Sequence, residues 1–294
     1  MIIFQRSNVI ALGQHGGYGN LCGVRLIMST FIAILLTLAT LFMLGGLARK
    51  ARQYRATPAP LKIPVTPAPK TTGGVVVRLA KEVILFASLF RSNKWTWIFG
   101  WIFHVSLALA FVRHLRYIID PDGVFGFMMP VIGSWLVQTA GLYAVFGMVF
   151  GLSGLLARRF LVKRVRYISA PSDYLMLILL LAIALSGFVM SFISYVDIVA
   201  VKTFMLGIIN FDLQALPEST ALIVHLLLVA VLGFVLPISK LLHIPGVFYA
   251  PTRNQVDNPR EKRHIVDWAK KLDETRGDYP ELKAAREPKP AAED

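Results

Sequence analysis

Charge is scarce in this chain. Asp, Glu, Lys and Arg make up only 16% of its 294 residues, against 55% hydrophobic, where a water-soluble domain carries about 25% charged residues. The deficit excludes an ordinary soluble protein. The apolar residues fall in long blocks, so the chain is expected to be an integral membrane protein. Cysteine is nearly absent as well. Cys22 stands alone, which excludes a disulfide framework, a Cys-x-x-Cys-His site for covalent haem and a thiolate set for an iron–sulfur cluster. Any haem is then held without thioether bonds, and any iron–sulfur partner is another chain. No internal repeat and no strand longer than a few residues stands out. Acidic residues are missing from the interiors of all the long apolar blocks.

Five of these blocks are long enough to cross a bilayer, for which about 20 helical residues are needed. Residues 1–23 form a glycine-rich N-terminal tail without the layout of a signal peptide. The first span, 24–48, ends in the basic run Arg49, Lys50, Arg52 and Arg55. Residues 49–94 make a basic loop whose five prolines (Pro58, Pro60, Pro64, Pro67 and Pro69) predict an extended linker. Within that loop, 75–91 carries Arg78, Lys81, Glu82, Ser88 and Arg91 near one side of a helix, which predicts an amphipathic helix lying on the membrane surface. A buried connecting helix is the plainer alternative.

The core, 95–245, holds spans near 95–118, 134–157, 173–194 and 219–243. Trp95, Trp97 and Trp101 suggest an interfacial belt. Asp120-Pro121-Asp122-Gly123 predicts a turn. Gly147, Gly151 and Gly154 make a small-residue face suited to close helix packing or to a flat ring. Residues 246–294 form a polar tail.

Loops 49–94 and 158–166 are basic, whereas 119–133 and 195–218 are not. The positive-inside rule then puts the N-terminus outside and the C-terminus in the cytoplasm of an inner (cytoplasmic) membrane. Cytoplasmic loops account for much of the net charge of +14, so no nucleic-acid partner is needed; the surroundings are lipid.

Four of the six histidines stand in two of the apolar segments: His104 and His114, ten residues apart, and His225 and His243, eighteen apart. Ionisable groups at membrane depth are rare and point to function. The two segments run in opposite directions, so depth pairs His104 with His243 and His114 with His225. Each pair can give two axial imidazoles to a haem iron, making two b haems stacked across the membrane. With both axial sites filled, the chemistry is electron transfer. Eighteen residues are five helical turns and keep His225 and His243 on one face, but the rises disagree, roughly 15 Å against 27 Å, which tilted helices, inclined rings and a kink expected near Pro237 must absorb. Structural hydrogen bonding or proton relay by these histidines stays open, although relays usually recruit intramembrane carboxylates. Arg113, Arg116 and Lys240 lie beside the ligands, either to meet haem propionates or to snorkel to the interface.

The stretches FHVSLALAFVRH (103–114) and HLLLVAVLGFVLPISKLLHI (225–244) resemble the dihaem cytochrome b subunit of respiratory nitrate reductases, the gamma or NarI-like family. The histidine spacings and the Leu-Pro-Ile-Ser-Lys-Leu-Leu-His-Ile ending carry the resemblance, over roughly residues 95–245. It implies an all-α, five-span fold, bis-histidine b haems and exchange with the quinone pool. Within the family, the proline-rich loop and the tail 249–261 look most like DsrM of the sulfite-reduction-associated DsrMKJOP complex. That likeness implies a cytoplasmic iron–sulfur partner (DsrK-like) resembling heterodisulfide reductase, together with further membrane and periplasmic redox subunits. One departure matters: no lysine or arginine occurs between Tyr117 and Ala157, so the family's quinol-site lysine has no counterpart and no residue is assigned that role. The rival expectations are a nitrate reductase gamma subunit feeding a molybdenum enzyme, and a non-haem assembly or transport subunit.

Overall fold

The computed structural model describes residues 17–57, 64–243, 245–250, 252–258, 270–272 and 275, with side chains from residue 25 onward. The described residues are all-helical and contain no strand. In chain order the helices are α1 (Gly17–Ala56), α2 (Thr72–Leu85), α3 (Ala87–Ser92), α4 (Lys94–His114), α5 (Trp135–Leu161), α6 (Lys163–Ile168), α7 (Pro171–Phe192), α8 (Ile198–Ile209) and α9 (Thr220–Val235). Among the described residues, five helical segments are long and apolar enough to cross a membrane: 25–56, 94–117, 135–161, 171–192 and 220–238. At most 33% of any such apolar window is buried. Their outer faces are therefore apolar, as hydrocarbon solvent requires.

The chain forms two compact units, one of the residues up to Phe42 with Ile102–Val235, the other of Met43–Trp101 with Leu236 onward. In the first, α1 packs through Ile32 and Ala33 onto Phe204 of α8, Leu216 and Leu222 of α9. Ser29 is fully buried there. Its hydroxyl donates to Arg25 O at 2.8 Å and accepts from Leu216 N–H at 2.9 Å, tying the 210–219 connection to the helix. Arg25 and Glu218 form an ion pair at the same end. Helices α4 and α5 approach closely at glycines. A Cβ at Gly147 would overlap Ser106 Oγ, and one at Gly141 would lie 2.8 Å from Arg113 Cβ. At Gly147 the small-residue face serves helix packing, one of its two expected uses.

Two sequence expectations are corrected in this unit. The connection 195–218, read as a loop, contains the twelve-residue helix α8. Asp197 caps it, accepting from Val199 and Ala200 N–H. The last span is not one helix to His243. It ends at Val235, continues as a 3-10 turn over Leu236–Ile238 and then turns again. Pro237 supplies the reason, since it lacks an N–H and disfavours helix in the residue before it. The five-turn argument for His225 and His243, and the 27 Å rise, assumed a continuous helix and no longer hold.

The second unit is organised around the break between α2 and α3. Phe86 sits in the left-handed region at φ 50°, with its N–H donating to Lys81 O, so the expected helix 75–91 is two pieces. Trp97 and Trp101 stack at 5.9 Å. Their indole N–H groups donate to Leu85 O at 2.7 Å and Ile84 O at 2.9 Å, satisfying carbonyls that the end of α2 leaves open. Glu82 supplies the missing cap for α3 by accepting from Ser88 N–H and O–H at 3.0 and 2.6 Å. Arg253 of the tail donates to Glu82 at 2.7 Å and to Ser88 Oγ at 2.6 Å. Val65 N–H donates to Thr252 O at 3.0 Å and Asp257 N–H to Pro69 O at 2.9 Å. The described part of the tail is thus laced to the proline-rich loop.

A pH dependence follows. Burial alone would raise the Glu82 carboxyl, but the two Ser88 hydrogen bonds, and then Arg253 and Arg78, outweigh it and hold the group below its ordinary 4.5. A depressed acid contributes its full stability above its unfolded value and loses it as pH falls through the lower folded value. Hydrogen exchange at 252–257 is expected to accelerate on acidification below 4.5, and Glu82→Gln to remove that dependence. Arg253→Ala is expected to destabilise this unit by about 1–2 kcal/mol at neutral pH.

Candidate functional site

The first unit brings two of the four predicted histidines together. The rings of His114, at the end of α4, and His225, in the first turns of α9, lie 6.4 Å apart between centres, with planes 18° apart. His114 Nδ1 is 2.6 Å from Ala110 O. A carbonyl can only accept, so Nδ1 carries the proton. His225 Nδ1 is 2.9 Å from Ser186 Oγ, and that hydroxyl is itself 2.9 Å from Ile183 O. The serine has one proton and the Ile183 carbonyl has none, so Ser186 donates to Ile183 and Nδ1–H of His225 donates to Ser186. Both rings are therefore fixed in the tautomer that leaves the Nε2 lone pair free for a metal, as ligating histidines require.

The two rings face a cavity of about 540 Å³ whose lining also includes Leu36, Phe111, Gly187, Met205, Leu226 and Val229. That volume falls in the ~300–1,000 Å³ range of cofactor sites. A Cβ on Gly187 would stand 3.7 Å from His225 Cε1 and meet nothing else within 4 Å; glycine here leaves open space beside the imidazole. Helix α8 contributes Ile198, Val201 and Met205 to the wall.

Arg113 and Arg116 line the same cavity. The Nε atoms of both are buried without a hydrogen-bond partner. Arg116 otherwise donates to Gln138 Oε1 at 2.6 Å and Tyr117 OH at 2.7 Å. Two guanidinium charges in the lining of a largely apolar cavity call for an anionic group.

Two metal–imidazole bonds of about 2 Å, each with about 1 Å more to the ring centre, separate two axial imidazoles by roughly 6 Å. The observed 6.4 Å meets this. Among the described residues no three His, Cys, Asp or Glu gather into a metal site, and axial ligation of a haem needs only two imidazoles. The residues fit a haem: two imidazoles 6.4 Å apart with their Nε2 lone pairs free, a largely apolar cavity and cations for its carboxylates.

The other two histidines belong to different units and are described separately. His104 is half-buried on α4, its ring edge-on to Phe103 at 4.8 Å. His243 lies in the turn after Pro237, where its N–H donates to Leu241 O at 2.8 Å and its carbonyl accepts from Gly246 at 3.1 Å. Lys240 belongs to that second unit.

Ser186, Gly187 and Gln138 went unnoticed in the sequence. The one signal for the first two is that Ser186-Gly187 ends an unbroken apolar run, 175–185.

Residues 74–260 match the family model described as nitrate reductase gamma subunit. The chain is 31% identical over 268 residues to the "Hdr-like menaquinol oxidoreductase cytochrome b-like subunit" of Archaeoglobus profundus, covering 78% of this chain and 79% of that one. It is also 31% identical to the protein of the same description from Archaeoglobus fulgidus, covering 78% and 80%.

Proposed function

Because the chain belongs to the nitrate reductase gamma subunit family, we propose that it is a dihaem cytochrome b passing electrons between membrane quinone and a cytoplasmic iron–sulfur subunit. The observation that carries this is the facing pair of His114 and His225 with both Nε2 atoms free. The relatives' names support a menaquinone-class quinone and an Hdr-like (heterodisulfide-reductase-like) partner. The proposal includes a place near DsrM in dissimilatory sulfur metabolism and a DsrK-like partner, on the resemblance of the proline-rich loop and the tail. Further membrane and periplasmic redox subunits complete the assembly.

His114 and His225 would hold the outer haem through their free Nε2 atoms. Arg113 and Arg116 would offer their guanidinium charge to its propionates, and Gly187 would make room for the ring. His104 and His243, paired by sequence depth, would hold the inner haem, on the side of the basic loops. A b haem held by two histidines would supply one-electron exchange. The apolar lining keeps water out, so little solvent reorganises when charge moves. The N-terminus lies outside and the C-terminus in the cytoplasm of the inner membrane. Helix α2 rests on the cytoplasmic surface, and the laced tail lies on the partner's side.

The test is the reduced-minus-oxidised spectrum of the purified protein with extracted haem counted per chain. About two low-spin b haems are expected, both reducible by menaquinol; a colourless protein would sink the reading. The family description favours one runner-up, a gamma subunit feeding a molybdenum enzyme. Co-purification decides between an Hdr-like iron–sulfur protein and a molybdenum one.

A further inference from the structure

We propose that Ser186 is the positioning residue of the outer haem site, setting its reduction potential through His225. This rests on the bis-histidine reading above. The two axial imidazoles are held differently. His114 donates to the carbonyl of Ala110, four residues back on its own helix. That contact is built into the helix backbone. His225 donates instead across to another helix, where the Ser186 hydroxyl passes the bond to Ile183 O. Only this second contact depends on a side chain, and it spans 39 positions of sequence.

The hydrogen bond has two consequences. It fixes the imidazole plane, since a ring bonded at Nδ1 cannot spin about its Cβ–Cγ axis without losing the contact. It also draws the Nδ1 proton toward oxygen, which makes Nε2 the better electron donor. A better donor stabilises ferric over ferrous iron, so the bond lowers the potential. The contact is partly buried between two helices, so solvent screens the effect less than it would at a surface. Gly187, next in sequence, leaves the space beside the His225 ring into which it would otherwise be free to turn.

The experiment is a spectroelectrochemical titration of the full-length protein in detergent, with electron paramagnetic resonance of the oxidised form. Wild type, Ser186→Ala, Ser186→Thr and His225→Ala are compared. In Ser186→Ala one haem is expected to rise in potential and to change its low-spin g values, while the other keeps both. Ser186→Thr retains the hydroxyl, and threonine can still bond backward along a helix, so it is expected to return both readouts toward wild type. Loss of one haem in Ser186→Ala but not in Ser186→Thr also supports the proposal, as a requirement for the hydroxyl in holding the ligand. Unchanged or lowered potentials in Ser186→Ala overturn it. So does equal loss of haem from both variants, which assigns the position to packing. A wild type without haem, or a His225→Ala protein with its full complement, overturns the functional reading instead.

Discussion

Replacing His225 by alanine is expected to remove one of two haems per chain and leave the other spectroscopically unchanged. His114→Ala is expected to give the same half-empty protein. The reason is geometric. The two rings face each other at 6.4 Å, and each has its Nδ1 proton committed to a protein acceptor. Taking away either ring leaves an apolar cavity with a single nitrogen ligand, and five-coordinate haem held by one imidazole dissociates far more readily. His104→Ala and His243→Ala are expected to empty the other site. Haem extracted and counted per chain distinguishes the four variants from wild type. Full haem in His225→Ala would return these histidines to structural or proton-handling roles.

The largest stability effect is expected at Gly46, and its neighbour is the control. In a helix, alanine is favoured over glycine by about 1 kcal/mol. At Gly45 an added Cβ meets nothing within 4 Å, so Gly45→Ala is expected to stabilise the protein by about 0.5–1 kcal/mol. At Gly46 the same Cβ would overlap Pro237 Cβ and sit 3.0 Å from its Cγ. A proline ring cannot rotate away, so either α1 or the Leu236–Ile238 turn must shift. Gly46→Val is expected to cost about 1–3 kcal/mol. That turn leads into His243, so the same variant is also expected to lose part of the protein's haem. Thermal unfolding followed by tryptophan fluorescence, with haem counted in parallel, reads both effects. Equal stabilities for the Gly45 and Gly46 variants would refute the contact.

The site was legible in the sequence where it rests on scarcity. A histidine in an apolar segment is costly unless used, so His104, His114, His225 and His243 stood out with no structure in hand, and opposed helix directions alone matched His114 with His225. What supports that pair was not legible. Ser186 is 39 positions from His225, and serines in apolar helices are common enough to carry no signal. Gln138 and Gly187 were hidden for the same reason. Helix α8 was missed because twelve residues are too few to span a bilayer and the acidic ends of 195–218 suggested a loop. The continuous last span was an error of a different kind: Pro237 was seen, but as a kink rather than an end.

By itself, then, the sequence determined what depends on composition and period: an all-helical membrane protein with five apolar spans, basic loops on alternate connections and histidines at two depths. Those properties follow from the bilayer acting as solvent, which constrains every residue along a span independently of its neighbours. Only the tertiary structure decided which nitrogen of each imidazole is free, where the last helix stops, and which small residues open the cavity. Those depend on contacts between segments far apart in the chain. A hydrogen bond from His225 to Ser186, or the fit of Gly46 against Pro237, exists only once the helices have packed.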